Sequence, residues 1–571
     1  MPRVLVRAAP SLLAAALAGG AIPKAARAGP APTEASSKAA LAQANAPKPA
    51  KVEDLWSLFV EWRAFQKPKL VDGVPDYTPK AMAAQRRELS VYQQRLAAID
   101  PGGWPIAQQV DFHVVRAEMN GLDFDHRVLQ PWARNPAFYV TVVEEESDQP
   151  AREGPFAYGT VELWRYRFPL TAGQAADLAA RLATLPALLQ EARGNLTGDA
   201  RDLWLHGIHS MDEQRAVLTR FARKADQDPA LFAAVQRALE ATTGFIRWLG
   251  EQAPSKTGPS GVGVANYDWY LANVQLLPYT WADEVVLAQR ELARARASLV
   301  LEEHKNHKLP QQTPIASAEE YDRRFSAGVT EYMAFLAQHE ILTVRPDMEP
   351  ALRARIGTFT PARPLEFFSE ADYRDPVLLR THSHHWFDLA RMEHDPHPSP
   401  VRRGALLYNI FDTRTEGFAT AMEELMMQAG LCDARPRSRE LIYILLAQRA
   451  ARALGDLRMH GSEVGLEQAA QFASANTPRG WLRLSGQTVR WEQHLYLQQP
   501  GYGTSYVIGK LEIDKLLAAR AAQLGDAFTL RGFMDELGAA GLIPVSLLRW
   551  QLTGDSRDVP GVGWPAPART R

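Results

Sequence analysis

A chain of 571 residues with a net charge of −1 is long enough to bury a large core, as one helical superdomain or two packed lobes. The near-zero charge leaves no electrostatic footprint for nucleic acid, and none for an anionic membrane surface. A single cysteine, Cys432, excludes an internal disulfide and reads as a small buried apolar residue.

The N-terminus carries Arg3 and Arg7, an apolar run from Ala8 to Ile22, and then Ala26-Arg27-Ala28. A basic region, a short apolar region and a small-x-small site in that order form the pattern of a secretory signal peptide over residues 1–28. The run is too short to span a bilayer, Pro10 weakens it, and no cysteine follows it. The sequence therefore predicts an exported protein, periplasmic or extracellular. It is expected not to be a lipoprotein, and to have no membrane span once the leader is removed. Residues 29–50 are rich in Ala, Pro and Ser and poor in large apolar side chains, the composition of a disordered linker.

Residues 51–571 read as a single helical domain. Segments 52–65, 81–99, 172–196, 228–249 and 282–305 place apolar residues at three- and four-residue spacing, so the predicted fold class is mainly α. "AFYVTVVEEE", residues 137–146, is one short strand candidate. Residues 254–274, "PSKTGPSGVGVANYDWYLANV", are glycine-rich but lack the Gly-Lys-Ser/Thr ending and the preceding strand of a phosphate loop; they read as a loop entering a helix.

The last third carries the chemistry. "THSHHWFDLARMEHDPHPSP", residues 381–400, holds five of the chain's fourteen histidines: His382, His384, His385, His394 and His397. His382 and His385 lie one helical turn apart, a spacing that can hold one metal. His394 and His397, beside prolines, read as loop residues. "LLYNIFDTRTEGFATAMEELMMQAG", residues 406–430, has wide apolar faces and ends at Gly430. Yet Asn409, Asp412, Glu416, Thr420 and Glu423 form a polar line along it. "RSRELIYILLAQRAARALGDLRMH", residues 437–460, opens with Ser438 as an N-cap candidate and is apolar on nearly every face. It still carries Arg449, Arg452, Asp456 and His460 at spacings of three, four and four. Polar groups on a buried helix need partners. Two such lines either face each other across a cavity or form a network of ion pairs that fixes packing. Asp456 is expected to neutralise Arg452 or to orient His460. In "QQPGYGTSYVIGKLEIDKLL", residues 498–517, Pro500, Gly501 and Gly503 force a tight turn before a helix. The Tyr506 hydroxyl is the better candidate to reach a substrate oxygen, and Tyr502 is expected to pack on its ring.

In order, these segments resemble the bacterial domain of unknown function 885 family. Glu416-Gly417-Phe418-Ala419 is similar to its Glu-Gly-Trp-Ala motif. Arg452, Asp456 and His460 match its Arg-x-x-x-Asp-x-x-x-His helix. "PGYGTSYVIG" is similar to its Pro-Gly-Gln-x-x-x-Tyr-x-x-Gly motif, and Glu492 matches a family glutamate. Weaker likeness extends to residues 185–196 and 261–271. Leu495 stands where the family often has arginine, and Tyr502 where it has glutamine.

The resemblance implies a large multi-helix, metallopeptidase-like superdomain with a central cavity, the site lying within about 370–510. It also implies a zinc signature, His-Glu-x-x-Pro-Gly-His, completed by the glutamate at position 416. Two imidazoles and a carboxylate leave a fourth zinc position for water. A glutamate takes the proton of that water, and a tyrosine or histidine donates to the oxyanion. This chain departs from the signature. Setting its final histidine on His384 or His385 puts Leu378 or Leu379 at the first histidine, and Leu379 or Arg380 at the glutamate. The metal candidates are therefore His382, His384, His385 and Glu416, for zinc or another divalent ion, with Glu423 or Glu424 replacing the missing base. The candidate catalytic set is Glu416, Arg452, Asp456, His460, Tyr506 and Glu423. The expected function is hydrolysis of a peptide or small amide-containing substrate. A catalytically inactive, metal-free binding protein on the same scaffold remains the open alternative.

Overall fold

Periodic apolar spacing becomes helix almost wherever the sequence shows it. Residues 52–65 form a helix with Leu55, Leu58, Phe59 and Trp62 turned inward. The helix Pro229–Gln252 starts where the Asp228 side chain accepts two backbone N–H groups and Pro229 fills the first position. The helix Trp281–Lys305 starts on a Thr280–Asp283 capping box. The computed structural model describes residues 51–151, 154–361 and 363–563. The leader and linker read at 1–28 and 29–50 lie outside the described residues. Of the described residues 66% are helical and 2% lie in strands, so the class is mainly α. No helix among them is long and apolar enough to cross a membrane.

Two expectations change in detail. The run 172–196 is two helices, Ala172–Leu182 and Leu185–Asn195, because Pro186 cannot continue the first and suits the opening turn of the second. The strand candidate at 137–146 is mostly a 3₁₀ turn, Pro136–Tyr139, followed by the two-residue strand Val142–Val143. That strand pairs in parallel with Val161–Glu162. The loop between them reaches the candidate site.

The described residues bury separate apolar clusters. One gathers the helices Ala172–Leu182, Leu185–Asn195, Arg201–Lys224 and Pro229–Gln252 around Trp204, Met211 and Phe245. The larger one surrounds the helix Ser438–His460, in which every residue but Arg439 and Arg458 is buried. The helix Trp281–Lys305 packs along it, while Asp412–Gln428 packs along Tyr502–Leu524. These last two helices touch backbone to backbone: a Cβ on Gly417 would stand 2.3 Å from Gly509 Cα.

In the first turn of the helix Trp281–Lys305 lies Glu284, fully buried and 3.5 Å from the Tyr267 hydroxyl. Burial raises its carboxyl from 4.5 to about 8. Between those two values the folded chain keeps a proton that the unfolded chain releases, so stability falls as pH rises through that window. Glu284→Gln removes the penalty. It should raise stability by about 3–5 kcal/mol at pH 9 and by little near pH 4, read as the difference in Tm between variant and wild type at each pH.

Candidate functional site

The site begins at a break between two short helices. Leu378–His382 ends at Ser383, and His384–His394 starts directly after it. His382 and His385 are therefore not one turn of one helix, as their spacing suggested. The bend at Ser383 brings their rings together at 5.1 Å between centroids. Glu416, in Asp412–Gln428, completes the group. His382 Nε2 lies 3.7 Å and His385 Nε2 3.4 Å from Glu416 Oε2. One ligand atom from each of the three residues falls within 4.8 Å of the others, an arrangement that could hold a metal ion.

Second contacts fix these three side chains. Glu416 Oε1 accepts hydrogen bonds from the Tyr502 hydroxyl at 2.6 Å and from Gln149 Nε2 at 2.9 Å. That leaves Oε2 buried without a hydrogen bond, and His385 Nε2 is in the same state. His382 Nδ1 lies 3.1 Å from Glu423 Oε1, and Glu423 is itself gripped by both Arg449 Nη atoms at 2.7 and 2.8 Å. Burial opposes charge on both His385 and Glu416. At His385 the nearby Asp148, and after it Glu416, overcome burial and raise the imidazole to about 9, while His385 and His382 hold the Glu416 carboxyl well below its usual range.

Several sequence candidates fall elsewhere. His384 turns away: its Nε2 pairs with the Tyr332 hydroxyl at 2.8 Å and its ring packs on Phe387 and Phe418. Successive helical residues point about 100° apart, so His384 and His385 cannot both face Glu416. His397 accepts from the Ser399 backbone N–H in the loop beyond the helix. Glu424 pairs with Arg294 and Lys510, and Glu423 is committed to Arg449, so neither stands as an unpaired base beside the triad. Arg380, at one position expected for the signature glutamate, pairs with Asp372.

The polar line of Ser438–His460 diverges rather than lining one wall. Arg449 pairs with Glu423. Arg452 pairs with Glu492, not with Asp456. Asp456 Oδ2 accepts the Gly503 backbone N–H at 2.8 Å and so holds the first turn of Tyr502–Leu524. The turn fits because Gly501 takes φ +80 and because a Cβ on Gly503 would strike Tyr496 and Asp456. His460 Nδ1 accepts from the Val262 N–H at 3.4 Å, its Nε2 donates to the Tyr496 carbonyl at 3.0 Å, and burial lowers it to about 4. These contacts make His460 a neutral packing residue. Asp456 and His460 thus position the turn that carries the tyrosines, and His460 lies 3.5 Å from Asp456.

Tyr502 packs on its ring against Tyr496, as expected, and its hydroxyl in addition bonds the triad. The Tyr506 ring lies nearly parallel to His382, 6.5 Å between centroids. Gln149 was not legible at all: it arrives from a loop 267 residues before Glu416, and no local pattern marks it.

The fold occurs in solved structures. A "putative lipoprotein of unknown function" from Shewanella oneidensis aligns over 87% of this chain and 97% of its own, at 16% identity and a TM-score of 0.63. A "putative lipoprotein" from Colwellia psychrerythraea aligns over 88% and 97%, at 15% identity and a TM-score of 0.57. The names of these neighbours point toward lipoproteins, against the expectation that this chain is not one, and that expectation is withdrawn. No curated protein matches the chain. The profile of the family described as bacterial protein of unknown function, DUF885, matches residues 65–371 and 384–552. The unmatched stretch, 372–383, includes His382. Over most of its length, then, this chain belongs to the DUF885 family.

Proposed function

We propose that the protein binds one divalent cation of the zinc class through His382, His385 and Glu416, and that this centre serves hydrolysis of a peptide or other amide bond. The observation that carries the reading is the convergence of His385 Nε2 and Glu416 Oε2, both buried without a hydrogen bond and 3.4 Å apart, with His382 Nε2. Two ligands about 2.0–2.1 Å from a tetrahedral ion stand about 3.3–3.4 Å apart. The separation of 3.4 Å between His385 and Glu416 fits that, and the 3.7 Å from His382 is close to it. Two imidazoles and one carboxylate leave a coordination position open, as a hydrolytic centre needs.

When bound, such an ion polarises a carbonyl and acidifies water. The chain's own residues do the rest. His382 Nδ1 stands 3.1 Å from Glu423 Oε1 and 3.2 Å from Arg449 Nη2; in the tautomer with the proton on Nδ1, Glu423 faces that proton and Nε2 is the ligand atom. Tyr502 and Gln149 hold Glu416 so that Oε2 faces the imidazoles. The Tyr506 ring walls the side of His382. Binding without turnover is a second reading. It is favoured by the arginine pairing of Glu423 and Glu492, which leaves neither glutamate free to take a proton from water.

Elemental analysis of protein grown in metal-replete medium and purified without chelator tests the first step. About one divalent ion per chain is expected. Peptide mixtures incubated with the loaded protein and followed by mass spectrometry then separate the readings. Chelator-sensitive cleavage supports the hydrolase, an ion without cleavage supports a metal-holding binding protein, and protein without stoichiometric metal contradicts the metal centre and leaves the metal-free binding protein in its place. Glu423→Gln should weaken metal binding by about 10- to 100-fold without abolishing it, measured by competition with a chelator of known affinity.

A further inference from the structure

Beside the triad, the helices Ser438–His460 and Thr488–Gln498 enclose a second group of polar atoms that the proposed metal chemistry does not use. Arg452 is 2% exposed and meets Glu492 through Nη1. Its other edge, Nε together with Nη2, is buried and has no hydrogen-bond partner; the neighbouring Tyr496 hydroxyl is in the same state. The rings of Tyr506, Tyr496 and Phe368 stand 4.9, 5.7 and 6.0 Å from the guanidinium carbon. Tyr506 is shared with the triad, since the His382 ring also stands 6.5 Å from it.

The chemistry of that edge is specific. The N–H of Nε and the adjacent N–H of Nη2 are parallel and spaced to meet the two oxygens of one carboxylate. Leaving such a fork buried and unpaired is costly, so the site favours whatever fills it.

We infer that the Nε–Nη2 edge of Arg452 is a carboxylate-binding subsite, and that the substrate class is an N-acylated amino acid or short peptide with a free carboxylate near the bond that is cleaved. The placement of that bond rests on the metal reading; the carboxylate subsite itself is testable without metal. The aromatic surroundings make N-acetylphenylalanine a suitable probe and N-acetylphenylalaninamide its uncharged control.

Both probes are titrated calorimetrically into the full-length, metal-free protein, and again after one equivalent of Co(II). The acid should bind about 10- to 100-fold more tightly than the amide to the wild type. Arg452→Lys keeps a charge opposite Glu492 but loses the fork. The double variant R452Q/E492Q removes the buried charges together, so that no lone charge unfolds the protein. In both variants, with folding checked by melting, the preference should fall close to unity. Equal binding of acid and amide by the wild type would overturn the inference, and so would a preference that survives in both variants. The visible spectrum of the Co(II) sample reports the metal separately. Its absence would defeat the metal reading, while the acid-to-amide ratio alone still decides whether Arg452 binds a carboxylate.

Discussion

Replacing Glu416 by alanine, or His385 by alanine, is expected to abolish binding of the proposed divalent ion. The loss should be the largest of any single change at the site. Glu416 supplies the one carboxylate oxygen that meets both imidazoles. Without it two neutral nitrogens remain, with no anionic ligand to offset a doubly charged ion in a buried site. The same substitution strands the donors of Tyr502 and Gln149, so both variants need a melting curve to show that they fold. His397→Ala, in the loop beyond the helix, should bind metal as the wild type does. Equilibrium dialysis with zinc measures all three variants.

The second large effect is structural. Gly509→Ala would place a methyl group 2.2 Å from the Thr413 carbonyl oxygen and 2.7 Å from Gly417 Cα. Both are backbone atoms and cannot swing aside, so the helices Asp412–Gln428 and Tyr502–Leu524 must part. The expected cost is about 3 kcal/mol or more. Glu416 adjoins Gly417, and Tyr502 lies two turns before Gly509. Parting the helices therefore also breaks the Tyr502–Glu416 hydrogen bond, and metal binding should weaken with stability. Gly250→Ala is the contrast. Nothing stands within 4 Å of its added methyl group, and it lies inside the helix Pro229–Gln252. It should be neutral or stabilising by up to about 1 kcal/mol. Thermal melts of the two variants decide the matter.

Much of the fold was legible because helices announce themselves by periodicity. Residues 52–65 and the buried helix from Ser438 to His460 are examples. Burial of the second could be read from apolar residues on every face, and its polar residues from their regular spacing. Spacing along one helix says which groups share a line, but not what stands opposite. Arg452 was expected to meet Asp456, four residues on, and instead meets Glu492 from another helix. The histidine cluster was visible as composition, but choosing among its members needed the break at Ser383, which no strong breaker residue marks. Tyr502 and Tyr506 follow the same turn, and only the packed position of Glu416 distinguishes them. Gln149 lies beyond any local reading, since its role is created by a loop folding back from the first third of the chain.

Metal K-edge X-ray absorption of the zinc-loaded protein tests the proposed centre most directly, with His384→Gln measured alongside. Two imidazole nitrogens and at least one carboxylate oxygen are predicted around the ion in the wild type, and the same set in the variant. An ion whose shell lacks two imidazoles, or loses one when His384 is replaced, would contradict a centre built on His382, His385 and Glu416.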